Sequence, residues 1–204
     1  MADRTDPPSL SLAALGLAWR EHRPYVAFAT VVFALSVVVG VAIAGEVDLF
    51  GLFGFESFGD MFPEDPGALF VFTNNTRAFF VFIAGALTGG ILTTFGLVFN
   101  GILVGYVSAL AAGQFSVGFV LLALAPHGVL ELPALFVAAG VAYRLVGVPV
   151  QYVLGRRDHL FTRPELERTL LLVVVAWVAL AVAAVVEIHV TTWLIEQVYG
   201  SIAA

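Results

Sequence analysis

The sequence predicts an all-α, polytopic transmembrane helix bundle forming a single membrane domain over 1–204, and three observations carry that prediction. Of the 204 residues 60% are hydrophobic and only 12% charged, where a soluble domain carries about a quarter charged. Uncharged stretches are long, 78–114 among them, and about 20 apolar residues cross a bilayer. Finally, eight of the nine arginines fall in two regions, the N-terminal tail (Arg4, Arg20, Arg23) and the segment from Arg144 to Arg168. Five spans put both regions on one side, and the excess of positive charge in short loops marks the cytoplasmic side.

Residues 1–24 read as a cytoplasmic tail. Its apolar core is short, is preceded by acids and prolines and is followed by its arginines, so it is expected to be retained rather than cleaved as a signal peptide. Within it, residues 9–20 read as a short amphipathic helix lying in the membrane interface, Leu10, Leu12, Ala13, Leu17 and Trp19 on lipid and Arg20, Glu21 and Arg23 at the water; the alternative is a frayed tail. Pro24 suits the first turn of the next helix, and residues 25–45 form the first span. Residues 46–76 are expected to be an extracytoplasmic acidic loop. Six acids (Glu46, Asp48, Glu56, Asp60, Glu64, Asp65) stand there with no base, phenylalanines recur every few positions, and glycines and prolines break any long helix.

As one helix, residues 77–114 would be about 57 Å long, well beyond a hydrocarbon core of roughly 30 Å, so the segment has to turn. Asn100-Gly101 is its strongest turn signal, giving a second span over 78–99 and a third from Ile102. The third either runs on to Ala123 or breaks at Gly113–Ser116, leaving residues 117–125 as a sixth, re-entrant half-helix. The fourth span starts at Pro126. Residues 148–168 form a cytoplasmic connector in which Thr162 and Glu165 are spaced as a capping box. The fifth span covers 169–188, with Trp193 and Tyr199 where an interfacial aromatic belt belongs. The N-terminus is then cytoplasmic and the C-terminus extracytoplasmic, in a multi-pass protein of the cell membrane.

The charge pattern narrows the partners. Lysine is absent and the net charge is −6. An acidic, lysine-free composition suits a halophilic, archaeal origin, and a GC-rich genome exchanges lysine for arginine equally well. No basic patch interleaved with aromatics is present, so nucleic acid is not an expected partner. Cysteine is absent and the four histidines are scattered. Disulfides and thiolate sites are excluded, no metal or other cofactor is expected, and no local set of three or four zinc ligands is offered.

Two small-residue patterns, Gly85 with Gly89 and Gly101 with Gly105, are GxxxG spacings that let helix backbones approach closely. They are read as packing of spans two and three on each other, or else as the seam of a homodimer. The polar exception inside the apolar run is Pro126-His127-Gly128 followed by Glu131. A helix beginning at Pro126 sets His127 and Glu131 at i and i+4 on one face, and charge at bilayer depth is costly and normally functional. One reading is a structural knot tying this helix to Asn74, Asn75, Thr88, Thr93, Asn100 or Gln114. Others are a proton or cation path through Glu131 and a catalytic pair. The pair lacks a nucleophile or metal set, and the second histidine of a metalloprotease helix is missing, since position 131 is glutamate. Glu187 and His189, close to a span end, read as interfacial.

The stretches "NNTRAFFVFIAGALTGG", "FNGILVGYVSAL" and "PHGVLELPALFVAAG" together resemble the stage II sporulation protein M family, most closely over residues 72–147. Its hallmarks are matched by Asn74, Asn75 and Arg77 leading into the glycine-rich span, by Asn100-Gly101, and by Pro126, His127, Gly128 and Glu131. The resemblance implies an integral membrane protein that is not an enzyme and that, in spore formers, recruits peptidoglycan-degrading enzymes to the septal membrane. Two functions are therefore expected. One is a membrane scaffold holding a protein partner at the outer acidic loop. The alternative is an ion or small-solute channel or transporter, dimeric and using Glu131 and His127.

Overall fold

The computed structural model describes residues 11–52, 54 and 67–200. The tail before Ser11 and most of the acidic loop, with its phenylalanines, lie outside the described residues. Among those described, five helical segments are long and apolar enough to cross a membrane, as expected. Helix α1 spans Leu12–Ile43, a four-residue α2 spans Leu49–Leu52, α3 spans Ala68–Ala84, α4 spans Ile91–Gln114, α5 spans Val117–Val153, α6 spans Arg163–Val185 and α7 spans Thr192–Tyr199.

Ser11 caps α1, its side chain accepting from the Ala14 amide at 3.1 Å. The buried residues Ala14, Ala18, His22, Val26, Ala29, Phe33, Ser36 and Gly40 recur every three or four positions, one unbroken face of a 3.6-residue helix. This corrects two expectations. The amphipathic stretch is not a separate interfacial helix but the first turns of the span, and Pro24 lies inside the helix rather than in its first turn. At 32 residues α1 is about 48 Å long and outruns the apolar layer. It stops before Gly45, which turns the chain at φ 85°. The Tyr106 hydroxyl then donates to the Val47 carbonyl at 2.9 Å, and the Tyr106 ring meets Phe50 edge-on, fastening α2 to α4.

The hairpin between spans two and three turns at Gly89-Gly90, not at Asn100-Gly101. Both glycines take positive φ, 66° and 87°, which L side chains rarely adopt. A 3-10 turn, Gly85–Thr88, leads into them. The Thr93 hydroxyl donates to the Phe82 carbonyl across the hairpin at 2.7 Å, in the space that a side chain at Gly85 would occupy. Asn100 stays helical, its amide donating to the Gly96 carbonyl one turn back. Spans two and three thus meet at Gly85, while Gly89 serves the turn.

Gly101 and Gly105 pack against α1, not α3. A Cβ on Gly101 would come 2.6 Å from Ser36 Cβ, one on Gly105 would strike the Val37 backbone, and one on Gly40 would strike Ile102 and Tyr106. Ser36, Gly40, Gly101 and Gly105 therefore let two backbones touch, and both glycines of the α4 pattern are used within the chain.

The third span does break at Gly113–Ser116, but residues 117–125 are no half-helix. Ser116 caps α5, accepting from the Phe119 amide at 3.0 Å, and α5 runs 37 residues through Pro126, Pro133 and Pro149. Pro126 thus sits nine residues inside a helix that it was expected to begin. Proline is tolerated in spanning helices because neighbours re-satisfy the freed carbonyls. Residues Ala134 to Ala142 are all buried, so α5 is the central helix, packed by α1, α3, α4 and α6. The connector narrows to 154–162, and the Thr162/Glu165 capping box is present. Outward, Phe28, Leu35, Leu69, Leu87, Phe95 and Val182 are exposed, an apolar exterior that suits lipid.

Gly105→Leu is expected to separate α1 from α4 and lower stability by at least about 1–3 kcal/mol, whereas Gly128→Ala, with open space at that Cβ, should leave it unchanged. Thermal melts of the two variants in detergent check this.

Candidate functional site

Two polar clusters occupy the two ends of the bundle. The first centres on Arg144, only 3% exposed. It donates to Glu21 of α1 at 3.1 Å and to Glu165 of α6 at 3.2 Å, and stacks over the Phe161 ring at 5.4 Å. Arg168 binds Glu21 at 2.7 Å, and Arg157 pairs with Glu165. Beneath them His22 Nδ1 meets the Ala18 carbonyl at 2.7 Å and Nε2 lies 3.4 Å from Thr169 Oγ1. Three guanidinium groups thus share two carboxylates and tie α1, α5 and α6 together. The sequence groups Arg144 with the arginines of the cytoplasmic side. It stands on α5, four residues beyond the buried Gly140, on the face that meets Glu21 of α1 and Glu165 of α6.

The second cluster answers the question of His127 and Glu131. They project from α5 one turn apart, as expected, and they meet Glu187. One ligand atom from each of the three lies within 4.8 Å of the others. Asn75 of α3 neighbours Glu131, and His127 Nδ1 lies 3.4 Å from Thr191 Oγ1. Glu187 and Thr191 come from a π-helical turn, Val186–Thr191, between α6 and α7. Such wide turns insert a residue and recur at functional sites. Nearby, Trp177 Nε1 donates to Thr76 Oγ1 at 3.1 Å and its ring packs on Phe72, fixing α3 against α6.

Of the residues singled out beforehand, the fold gathers His127, Glu131 and Asn75. Asn74 and Arg77 are exposed on α3, Pro126 and Gly128 flank the cluster on α5, and Asn100 bonds within α4. Glu187 was read as interfacial; it was legible as the continuation of the α6 face through Leu172, Ala176, Leu180 and Ala183. No local spacing offered a metal set, and the fold assembles three ligand-type side chains from positions 56 residues apart. Along α5 the clusters are separated by 13 to 17 residues, about 20–25 Å of helix. Tyr199 closes the second end, its hydroxyl 3.2 Å from Ser116 Oγ.

The family model described as "Stage II sporulation protein M" matches residues 29–192. A protein of Methanocaldococcus jannaschii described as uncharacterized is 25% identical over 122 residues, 59% of this chain and 68% of that one. No solved structure matches the chain significantly. The match and the spanning helices make this a multi-pass integral membrane protein.

Arg144→Met is expected to destabilise the bundle by about 1.5–3 kcal/mol, because α5 loses its charge-assisted hydrogen bonds to α1 and α6, while Glu21 keeps Arg168 and Glu165 keeps Arg157. Loss of the exposed Arg163–Glu167 pair through Glu167→Ala should cost no more than about 1 kcal/mol. Chemical or thermal unfolding of the solubilised variants measures the difference.

Proposed function

The chain belongs to the stage II sporulation protein M family, and we propose that it is a non-enzymatic membrane scaffold that recruits a protein partner through the acidic loop following α1. The observation that carries this reading is the enclosure of α5: nine consecutive residues buried by surrounding helices, with α1 and α6 ion-paired onto it at one end. That is the build of a rigid post. The two ends of the post differ in charge. Arg20, Arg23, Arg156, Arg157, Arg163 and Arg168 crowd the ionic end, which the arginine rule assigns to the cytoplasm. The acidic loop, with six acids and no base between positions 46 and 67, leaves from the opposite end. A partner with a basic face fits that loop by charge complementarity, and such pairing acts mainly on association rate and specificity.

A second reading, passage of a cation past Glu131 and His127, is favoured by their convergence with Glu187 inside the bundle. It requires flux through the wild-type protein in liposomes and its loss in Glu131→Gln.

For the scaffold reading, changing Glu46, Asp48, Glu56, Asp60, Glu64 and Asp65 to their amides is expected to abolish co-purification of the partner while the protein stays monodisperse. Wild-type capture should weaken between low and high salt. Undiminished capture by the amide variant would place the docking surface elsewhere.

A further inference from the structure

We propose that His127, Glu131 and Glu187 form a binding site for a divalent transition-metal cation of the Zn²⁺ or Mn²⁺ class, joining α5 to the π-helical turn that follows α6. Geometry comes first. One nitrogen and two carboxylate oxygens from the three residues lie within 4.8 Å of one another. A cation bound at about 2.0–2.2 Å from each donor holds neighbouring donors roughly 3–3.6 Å apart, a closure that side-chain rotation supplies. Charge comes second. Two carboxylates brought together in a membrane-embedded bundle repel, and that repulsion grows as the dielectric falls. In the Arg144 cluster, two carboxylates share three arginines. Among the described residues no arginine pairs with Glu131 or Glu187, so their charge is left to be balanced by a proton or by a bound cation.

Backbone and supporting contacts are the independent observation. The α-helical register is broken at the position that supplies Glu187, and that same π turn supplies Thr191 beside His127. Asn75 of α3 neighbours Glu131. The carboxylate and the imidazole on α5 thus each have a second polar group beside them, as metal ligands usually do. One imidazole with two carboxylates suits Zn²⁺ or Mn²⁺, whereas Ca²⁺ takes six to eight oxygen ligands. Three protein ligands leave coordination positions for water. The site requires neither the scaffold reading nor partner binding at the acidic loop.

The test uses the full-length protein in detergent, freed of any histidine tag and stripped with EDTA. Zn²⁺, Mn²⁺, Mg²⁺ and Ca²⁺ are titrated by calorimetry, and Co²⁺ binding is followed by its visible absorption. Expected is saturable binding of about one Zn²⁺ or Mn²⁺ per chain, with Mg²⁺ and Ca²⁺ at least about 100-fold weaker. Glu187→Gln should weaken it at least about tenfold and remove the Co²⁺ spectrum, with the helical circular dichroism unchanged. Glu131→Gln provides the same readout should the first variant fail to fold, and Glu46→Gln should bind as wild type does. No saturable binding by folded wild-type protein, or equal affinity in the glutamine variants, would overturn the proposal. So would carboxylates that titrate together around one shared proton with no metal effect.

Discussion

Arg144 is the constraint from which the rest of the bundle takes its register. A guanidinium cannot be deprotonated in a protein, so once α5 carries it into the interior two carboxylates have to be brought to it. Glu21 comes from α1 and Glu165 from the first turn of α6. That sets the rotation and height of both helices against α5. Glu165 has a double duty, because it also closes the capping box that starts α6. The helix start and the ion pair therefore cannot shift independently. With α1 fixed on one flank of α5, its other contact is decided by shape: Ser36 and Gly40 meet Gly101 and Gly105 backbone to backbone. Lipid offers no hydrophobic drive for that contact, so close approach has to supply it.

The two polar clusters solve the same electrostatic problem in opposite ways. At the arginine end, charge is matched inside the chain, and each carboxylate is held by two arginines. At the other end Glu131 and Glu187 converge with an imidazole, and Asn75 and Thr191 are neutral neighbours of the cluster. A purely structural knot would do better with an amide in place of one carboxylate, since like charges at short range oppose packing. Keeping both carboxylates makes sense where something positive comes and goes. The imidazole adds a donor suited to a transition metal and of little use to an alkali cation.

The span count and the all-α class were legible because they depend on composition summed over long windows, where local detail averages out. The Thr162/Glu165 box was legible because it is decided within four residues. What failed was punctuation. Asn100-Gly101 and Pro126 are breakers in water, where a freed carbonyl can bond to solvent. In a bilayer the backbone keeps its own hydrogen bonds, so Asn100 folds its amide back onto Gly96 and α5 passes through Pro126. The true turn needed two left-handed residues in sequence, and Gly89-Gly90 supplied them. Arg77 was quoted in the motif yet stands exposed, and Arg144 was grouped with a basic surface yet is buried. The sign of each charge was readable; the partners that enclose Arg144, Glu21 and Glu165, lie more than twenty residues away.

The spacing of the clusters locates the second one. Between Leu132 and Tyr143 α5 carries no charged residue, and the intervals from Arg144 back to Glu131 and His127 are about 20 and 25 Å. Hydrocarbon cores are about 30 Å thick. A helix that placed His127 and Glu131 at mid-bilayer would put Arg144 about 5–10 Å beyond the apolar layer, at headgroup depth, whereas its enclosure by Phe161 and Thr169 suits the boundary of that layer. With the Arg144 network at one boundary of the apolar layer, the His127–Glu131–Glu187 cluster falls just inside the other. α5 and the segment from Arg163 to Tyr199, 37 residues each, are about 55 Å long and extend beyond that layer. The second cluster then lies near one boundary of the layer, and the apolar stretch of α5 separates it from the arginine end. For the proposed cation site, that arrangement suits exchange with the nearer face better than transfer across the membrane.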